Sequence, residues 1–122
     1  MKTTKDHFKI FCAECYKWQE FFNLKDWELC ILHEKIEDRG DLIYYPQESI
    51  AIIRLTTDWG KDKAPLTNNM VKRIAFHEIV ELFLGRLNVF ASERFVSSNE
   101  IITEERHKII RTLENQLFEM AE

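Results

Sequence analysis

The chain has 122 residues, of which 45% are hydrophobic and 31% are charged, a composition typical of one folded domain that occupies residues 1–122. Its 21 acidic and 17 basic residues give a net charge of −4, which disfavours nucleic acid as a partner because binding it requires a positive surface. No apolar run approaches the roughly 18 residues of a membrane span, and no signal-peptide core follows the first residues, so we expect a cytoplasmic protein with no membrane partner.

The first predicted element is an amphipathic helix from about residue 4 to residue 22. Large apolar residues recur in it at helical spacing, among them Phe8, Phe11 and Trp18. Cys12 and Cys15 form a CxxC pair on the same apolar face. No second pair follows, so core packing is favoured over redox or metal chemistry, and the odd total of three cysteines argues against a disulfide framework.

Three short strands are predicted after this helix. Residues 27–36 alternate between apolar and polar side chains, residues 42–45 form a second run that Pro46 stops, and residues 50–55 are rich in β-branched side chains. The polar segment 57–65 follows and contains both glycine and proline, so we predict a loop there.

Two further helices complete the predicted order of elements. Thr67 is the predicted N-cap of a second long helix that runs to about Leu87, and residues 88–99 are a predicted connection. Ser97–Glu100 has the spacing of a capping box, which predicts a third helix ending near Met120. The predicted fold class is therefore α+β, with an N-terminal helix, a two- to three-stranded sheet and two C-terminal helices.

The second of these helices contains the most informative segment, residues 74–84. Apolar side chains lie almost all the way round it, which is typical of a buried helix. It nevertheless carries three ionisable residues, His77, Glu78 and Glu81. Burying such groups costs several kcal/mol unless they are paired, protonated or bound to a metal, so their presence requires a specific reason.

The spacing of these three residues suits a metal site. His77 and Glu81 are four residues apart, so they share one face of the helix and can offer two ligands to one ion. Glu78 lies about 100° further round, close enough to accept a proton from a water molecule activated there. Two interpretations without a metal remain open, a buried hydrogen-bond network of His and Glu and a charged seam that faces a partner.

The His-Glu-x-x-Glu pattern of residues 77–81 resembles the His-Glu-x-x-His motif of the zincin metallopeptidases. The resemblance is to the gluzincin type, among the small zincin-like proteins often carried by phages and other mobile elements. It implies a zinc-dependent metallopeptidase with one Zn²⁺ ion and with Glu78 as the general base. It also implies a peptide or protein substrate held by strand addition, for which residues 50–55 are the candidate edge strand. The chain departs from the family at Glu81, where the family has histidine.

A catalytic zinc ion needs a third protein ligand, and the third helix offers Glu104, Glu105 and His107. Its predicted core face consists of apolar residues: Ile109, Ile110, Leu113 and Leu117. Glu104 points away from that face, whereas Glu105 and His107 flank it. The family places its ligand glutamate just before a basic residue and an Ile/Val pair, and His107 occupies that position here. The resemblance therefore implies His77, Glu81 and His107 as ligands, with Glu105 as the alternative to His107.

Two other functions fit parts of the sequence. One is a zincin-shaped module without catalysis that binds a protein partner or acts in regulation, in which Glu81 marks the loss of the active site. The other is nucleic-acid binding through basic residues, namely Lys61, Lys63, Lys72 and Arg73, which the net negative charge disfavours.

Overall fold

The computed structural model describes residues 1–60, 65–94 and 99–118, with side chains placed throughout residues 1–60 and 65–85 and at part of the last helix. The fold is α+β, which confirms the predicted class. Its elements, in chain order, are α1 (Lys5–Phe21), β1 (Glu28–Glu34), β2 (Gly40–Tyr45), β3 (Ile50–Thr56), α2 (Asn68–Arg94) and α3 (Asn99–Leu113), and a π-helical turn (Glu114–Phe118) continues α3.

Local interactions fix both ends of α1. At its start the Thr4 hydroxyl accepts a hydrogen bond from the His7 backbone N–H, and the Thr4 N–H donates to the His7 ring, which forms a capping box. The chain leaves the helix through Asn23, whose φ of 55° lies in the left-handed region that asparagine tolerates. Phe11, Cys15 and Trp18 are fully buried or nearly so, in agreement with the predicted apolar face.

The three strands form one mixed sheet in the order β1-β3-β2. β3 lies in the centre, parallel to β1 and antiparallel to β2, with Ile50 opposite Glu28 on one side and Tyr45 on the other. The prediction that residues 50–55 form a peptide-binding edge strand is therefore wrong, since neighbouring strands occupy both edges of β3. The order has a physical reason: β3 is apolar on both faces, and the centre of a sheet buries such a strand best. Of the two outer strands, β2 is the one that packs closely against α2.

Helix α2 packs against α1 and the inner face of the sheet. It begins where predicted, because the Met70 N–H donates to the Thr67 hydroxyl at 3.1 Å and Asn68 is the first helical residue. It continues to Arg94, so the predicted connection 88–99 is wrong over its first seven residues, where no proline interrupts the helix. No helix in the described part of the chain is both long and apolar enough to span a membrane.

Some predicted features lie outside the described residues. They are Ser97 and Ser98 of the predicted capping box, the predicted helix end at Met120, and Lys61 and Lys63 of the disfavoured nucleic-acid surface.

Close contact between β2 and α2 determines where the sheet meets the motif helix. A Cβ atom at Gly40, the first residue of β2, would overlap with Cγ2 of Ile74 on α2. Further along, the ring of Tyr44 lies over Gly85, where an added Cβ would be 2.9 Å from the Tyr44 Cζ atom. Because these glycines have no side chain, the start of β2 can lie beside Glu78.

We predict that Gly40→Ala lowers the free energy of unfolding by about 1–3 kcal/mol, because the new methyl group must displace Ile74 or the strand. Urea denaturation checks this. The double variant Gly40→Ala, Ile74→Ala is the control, and its loss should be smaller than the sum of the two single losses because it removes the overlap. Strict additivity would contradict the close contact.

Candidate metal centre

A cleft of about 410 Å³ opens between the start of β2, α2 and α3. The strand side contributes the turn before β2 and its first residues: Asp38, Arg39, Gly40, Asp41 and Leu42. The helix side contributes Ile74, His77, Glu78 and Glu81 from α2 and His107 from α3. The cleft thus brings together the three ionisable residues of the motif and the histidine predicted as their partner.

His77 uses its two ring nitrogens in different directions. Its Nδ1 atom lies 2.9 Å from Oε1 of Glu114, the first residue of the π-helical turn. Its Nε2 atom lies on the other side, 3.8 Å from Oε2 of Glu81. When His77 is neutral and donates from Nδ1 to Glu114, the lone pair of Nε2 is directed to the Glu81 side, the arrangement usual for a metal-binding histidine.

Glu114 was not among the predicted site residues. It is only 10% exposed, and its second oxygen accepts a hydrogen bond from Arg73 Nε at 3.0 Å. The sequence does indicate Glu114 as a candidate site residue. Glu114 follows His107 by seven residues, so the two lie on the same face of the helix two turns apart. A search for a carboxylate able to orient each candidate histidine would have included it.

The contact between His77 and Glu114 changes the pKa of both groups. The hydrogen bond to Glu114 raises the pKa of His77, against the effect of burial, and the charges of Glu78 and Glu81 act in the same direction as that bond. Burial alone would raise the pKa of Glu114. The hydrogen bonds and positive charges of His77 and Arg73 outweigh burial and lower it.

Glu81 lies between the two histidines. Its Oε1 atom is 3.5 Å from His107 Nε2 and 3.8 Å from Arg106 Nη2, while its Oε2 atom faces His77. The imidazole rings of His77 and His107 are 6.5 Å apart between centroids. Of the alternatives on α3, Glu104 is exposed, as predicted, and the side chain of Glu105 lies outside the described part of the chain.

Glu78 is the buried member of the group. Its side chain is 4% exposed, and its Oε2 atom has no hydrogen-bond partner among the described residues. Burial raises the pKa of Glu78 to about 8, the charge of Glu81 adds to this effect, and His77 opposes it. Full burial was expected for all three ionisable residues, but His77 and Glu81 are partly exposed because they face the cleft.

Histidine and carboxylate groups suit a zinc ion in chemistry, but the group of described residues whose ligand atoms all lie within 4.8 Å of one another is His77, Glu78 and Glu81, and His107 is not part of it. Tetrahedral zinc with bonds of about 2.0–2.1 Å to nitrogen and oxygen places neighbouring ligand atoms about 3.3 Å apart. The distances of 3.8 Å from His77 to Glu81 and 3.5 Å from His107 to Glu81 approach that value. A cation there would reduce the repulsion between the two carboxylates.

Other histidine and tyrosine side chains lie away from the cleft. His33 Nε2 lies 2.6 Å from the Thr3 hydroxyl and its ring stacks on Phe8, so His33 has a structural environment. Tyr44 and Tyr45 face opposite sides of β2, and neither lines the cleft formed by the described residues. Positive side chains at the cleft include Arg39, in its wall, and Arg106, beside Glu81.

Comparisons with protein-family models, with curated proteins and with solved structures each found no match to this chain.

We predict that the metal-free protein loses stability as the pH rises from 4.5 to about 8. Over this range the unfolded chain releases the Glu78 proton that the folded chain retains, which favours unfolding at higher pH. His77 contributes with the same sign, because its stabilising interaction is present below its unfolded pKa of 6.5 and is lost as the pH passes its raised folded value.

Urea denaturation in the presence of a chelator, repeated across this pH range, measures the effect. Glu78→Gln is the control, since its amide cannot ionise, and it should flatten the pH dependence. An equally steep decline in Glu78→Gln would contradict the assignment of the effect to Glu78.

Proposed function

We propose that this protein is a zinc-dependent metallopeptidase of the small zincin-like, gluzincin type. One observation carries the proposal: His77 Nε2 and His107 Nε2 each face one oxygen of the Glu81 carboxylate at one end of a cleft, with Glu114 behind His77. Histidine and carboxylate groups can also form a purely structural network, since one carboxylate can accept hydrogen bonds from two imidazoles. The distances of 3.8 Å and 3.5 Å from the histidines to Glu81 are longer than ordinary hydrogen bonds, which favours a site for an ion beside the open cleft.

The residues that would hold the ion are His77, Glu81 and His107, with Glu105 as the alternative to His107. Two neutral imidazoles and one carboxylate form the ligand set that the resemblance implies, with one histidine and one glutamate exchanged in position. When bound, zinc supplies Lewis-acid chemistry, which polarises a carbonyl group and makes water more acidic. Glu114 would keep the His77 ring in the tautomer and orientation that leave Nε2 available.

Glu78 would act as the general base. It lies in the wall of the cleft beside Glu81, and its Oε2 atom has no competing hydrogen bond among the described residues. In its ionised form it would accept a proton from the attacking water and then deliver it to the leaving amine. The charge of Glu81 is one cause of the raised pKa of Glu78, so neutralising Glu81 favours the ionised base near neutral pH.

The substrate would lie along β2 and not along β3 as first expected. β2 lies at the edge of the described sheet, and its residues Gly40, Asp41 and Leu42 line the cleft. An extended peptide that adds to this edge would pair its backbone with unpaired N–H and C=O groups and pass in front of Glu78.

We expect protein purified without chelators to contain one zinc ion per chain, measured by elemental mass spectrometry. His77→Ala, Glu81→Ala and His107→Ala should each lose the metal, because three ligands are the minimum for a catalytic site. Glu104→Ala, on the exposed side of α3, is the matched control and should retain it. If Glu105→Ala loses zinc and His107→Ala keeps it, Glu105 is the third ligand. Absence of zinc, with no thermal stabilisation on adding it, would overturn the proposal.

We further expect Glu78→Gln to keep zinc affinity within about threefold and to reduce peptide hydrolysis by about 10²–10⁴-fold, as loss of a general base does. A mixed peptide library, with products identified by mass spectrometry, measures turnover without knowledge of the natural sequence. Loss of zinc in Glu78→Gln would instead make Glu78 a ligand. A zinc-loaded wild-type protein that cleaves no peptide would favour the non-catalytic module.

Glu114→Gln should weaken zinc binding by about 10–100-fold, the usual effect of removing a carboxylate that orients a metal-binding histidine. Asn115→Ala is the matched control because Asn115 lies on the same turn and contacts Arg73 but not His77. Competition with a zinc-binding dye measures both affinities. Equal affinities for the two variants would show that Glu114 has no role in holding His77.

A further inference from the structure

The outer face of the sheet, opposite α1 and α2, is apolar and open. Because side chains alternate along a strand, the residues of this face can be read from the burial pattern. Leu32, Ile43 and Tyr45 on it are 36%, 41% and 48% exposed, and Cys30 is exposed as well. These exposures mean that nothing in the described part of the chain covers this face.

The strand register makes these residues contiguous. Cys30, Ile52 and Ile43 form one row across β1, β3 and β2, and Ile50 and Tyr45 are neighbours in the row beside it. Directly opposed apolar side chains in a sheet contact one another, so the two rows form a single patch. Leu32, two residues beyond Cys30 on the same side of β1, extends this patch. We call the patch, made of Cys30, Leu32, Ile43, Tyr45, Ile50 and Ile52, the outer apolar face.

Acidic residues lie at both ends of the outer apolar face. At one end is the exposed Glu28, in register with Ile50. The exposed Glu48 lies at the same end, in the turn after β2, where its backbone N–H donates to the Tyr45 carbonyl. At the other end Arg54 bonds to both Glu34 and Asp41, so this group of three still carries a net negative charge. A partner therefore meets an apolar centre with negative charge on either side.

We propose that the outer apolar face binds an amphipathic helix of a protein partner, whose apolar stripe is preceded and followed along the helix by lysine and arginine. The fit follows from size as well as charge. Three strands about 4.8 Å apart place the axes of the outer strands about 10 Å from each other, and a helix is about 10–12 Å across. One helix along the strands would cover the rows and bring its two basic ends to the two acidic ends of the face.

The same charges argue against other occupants. A second copy of this chain would place acidic ends near acidic ends, which is repulsive. An anionic lipid surface or a nucleic-acid backbone would be repelled in the same way. This inference is independent of the proposed peptidase function, because apart from Asp41 its residues lie on the face of the sheet away from the cleft.

The test uses the intact protein and two synthetic helical peptides with the same leucine stripe, one with lysines at both ends and the other with glutamates at both ends. Fluorescence anisotropy at low salt should show at least about tenfold tighter binding of the lysine peptide. Ile43→Asp and Leu32→Asp, on the two outer strands, should each weaken that binding by about tenfold or more. Phe21→Asp is the control, an apolar residue on α1 that is more exposed than Ile43 and Leu32 and that should leave binding unchanged.

The charge part of the proposal has its own variant. Glu28→Lys with Glu48→Lys leaves the apolar rows intact and should reverse the preference between the two peptides. Equal affinity for both peptides in the wild-type protein, or no preference change in this double variant, would overturn the proposal. So would a dimer, detected by light scattering without peptide, that Ile43→Asp converts to monomer, since a second copy would then cover the face. The circular-dichroism spectrum and the melting temperature of each variant serve as the fold control, so the test does not depend on whether the protein binds zinc.

Discussion

Helix α2 must bury an apolar surface and carry three ionisable groups in the same two turns, and the rest of the site follows from that conflict. Phe76, Ile79 and Val80 are fully buried, so the helix cannot move away from the core. The ionisable residues His77, Glu78 and Glu81 alternate with these apolar residues. Because the helix position is fixed, their partners must come from elements packed beside them. Burying an isolated charge there raises the free energy of the folded state by far more than one hydrogen bond lowers it. The neighbouring elements therefore have to supply opposite charge.

The last helix supplies most of that compensation. Arg73, Glu114, His77, Glu81 and Arg106 form a series in which groups that are or can become positive alternate with carboxylates. Each carboxylate in the series has a basic group on both sides. Glu78 lies beside the series, and its Oε2 atom lacks a bond within the described residues. Its raised pKa is the local consequence of this incomplete compensation, and it is the property expected of a group that exchanges protons.

The sequence was most informative where the controlling interaction is local. The capping box at Thr4, the N-cap at Thr67 and the spacing of His77 and Glu81 depend on residues within one or two turns of each other, and short patterns predict them. Strand order could not be predicted in this way, because the sequence of residues 50–55 is compatible with either an edge strand or a central strand. Glu114 was missed for a related reason: its spacing from His107 makes it a candidate, but its contact with His77 depends on how α3 packs beside α2.

Strand β2 separates two surfaces that the sequence alone would merge. Its alternation sends Tyr44 inward against α2, while Ile43 and Tyr45 point to the outer apolar face. Asp41 is an exception, because it bonds to Arg54 on the outer side and also lines the cleft. Burial and the charge of Glu81 are the larger causes of the raised pKa of Glu78, and the charge of Asp41 adds to them. A change in the charge of Asp41 would therefore change the pKa of the buried Glu78 through electrostatics alone, without movement of the strand. Ile43 itself contributes no such coupling, since its side chain is apolar and faces away from the cleft.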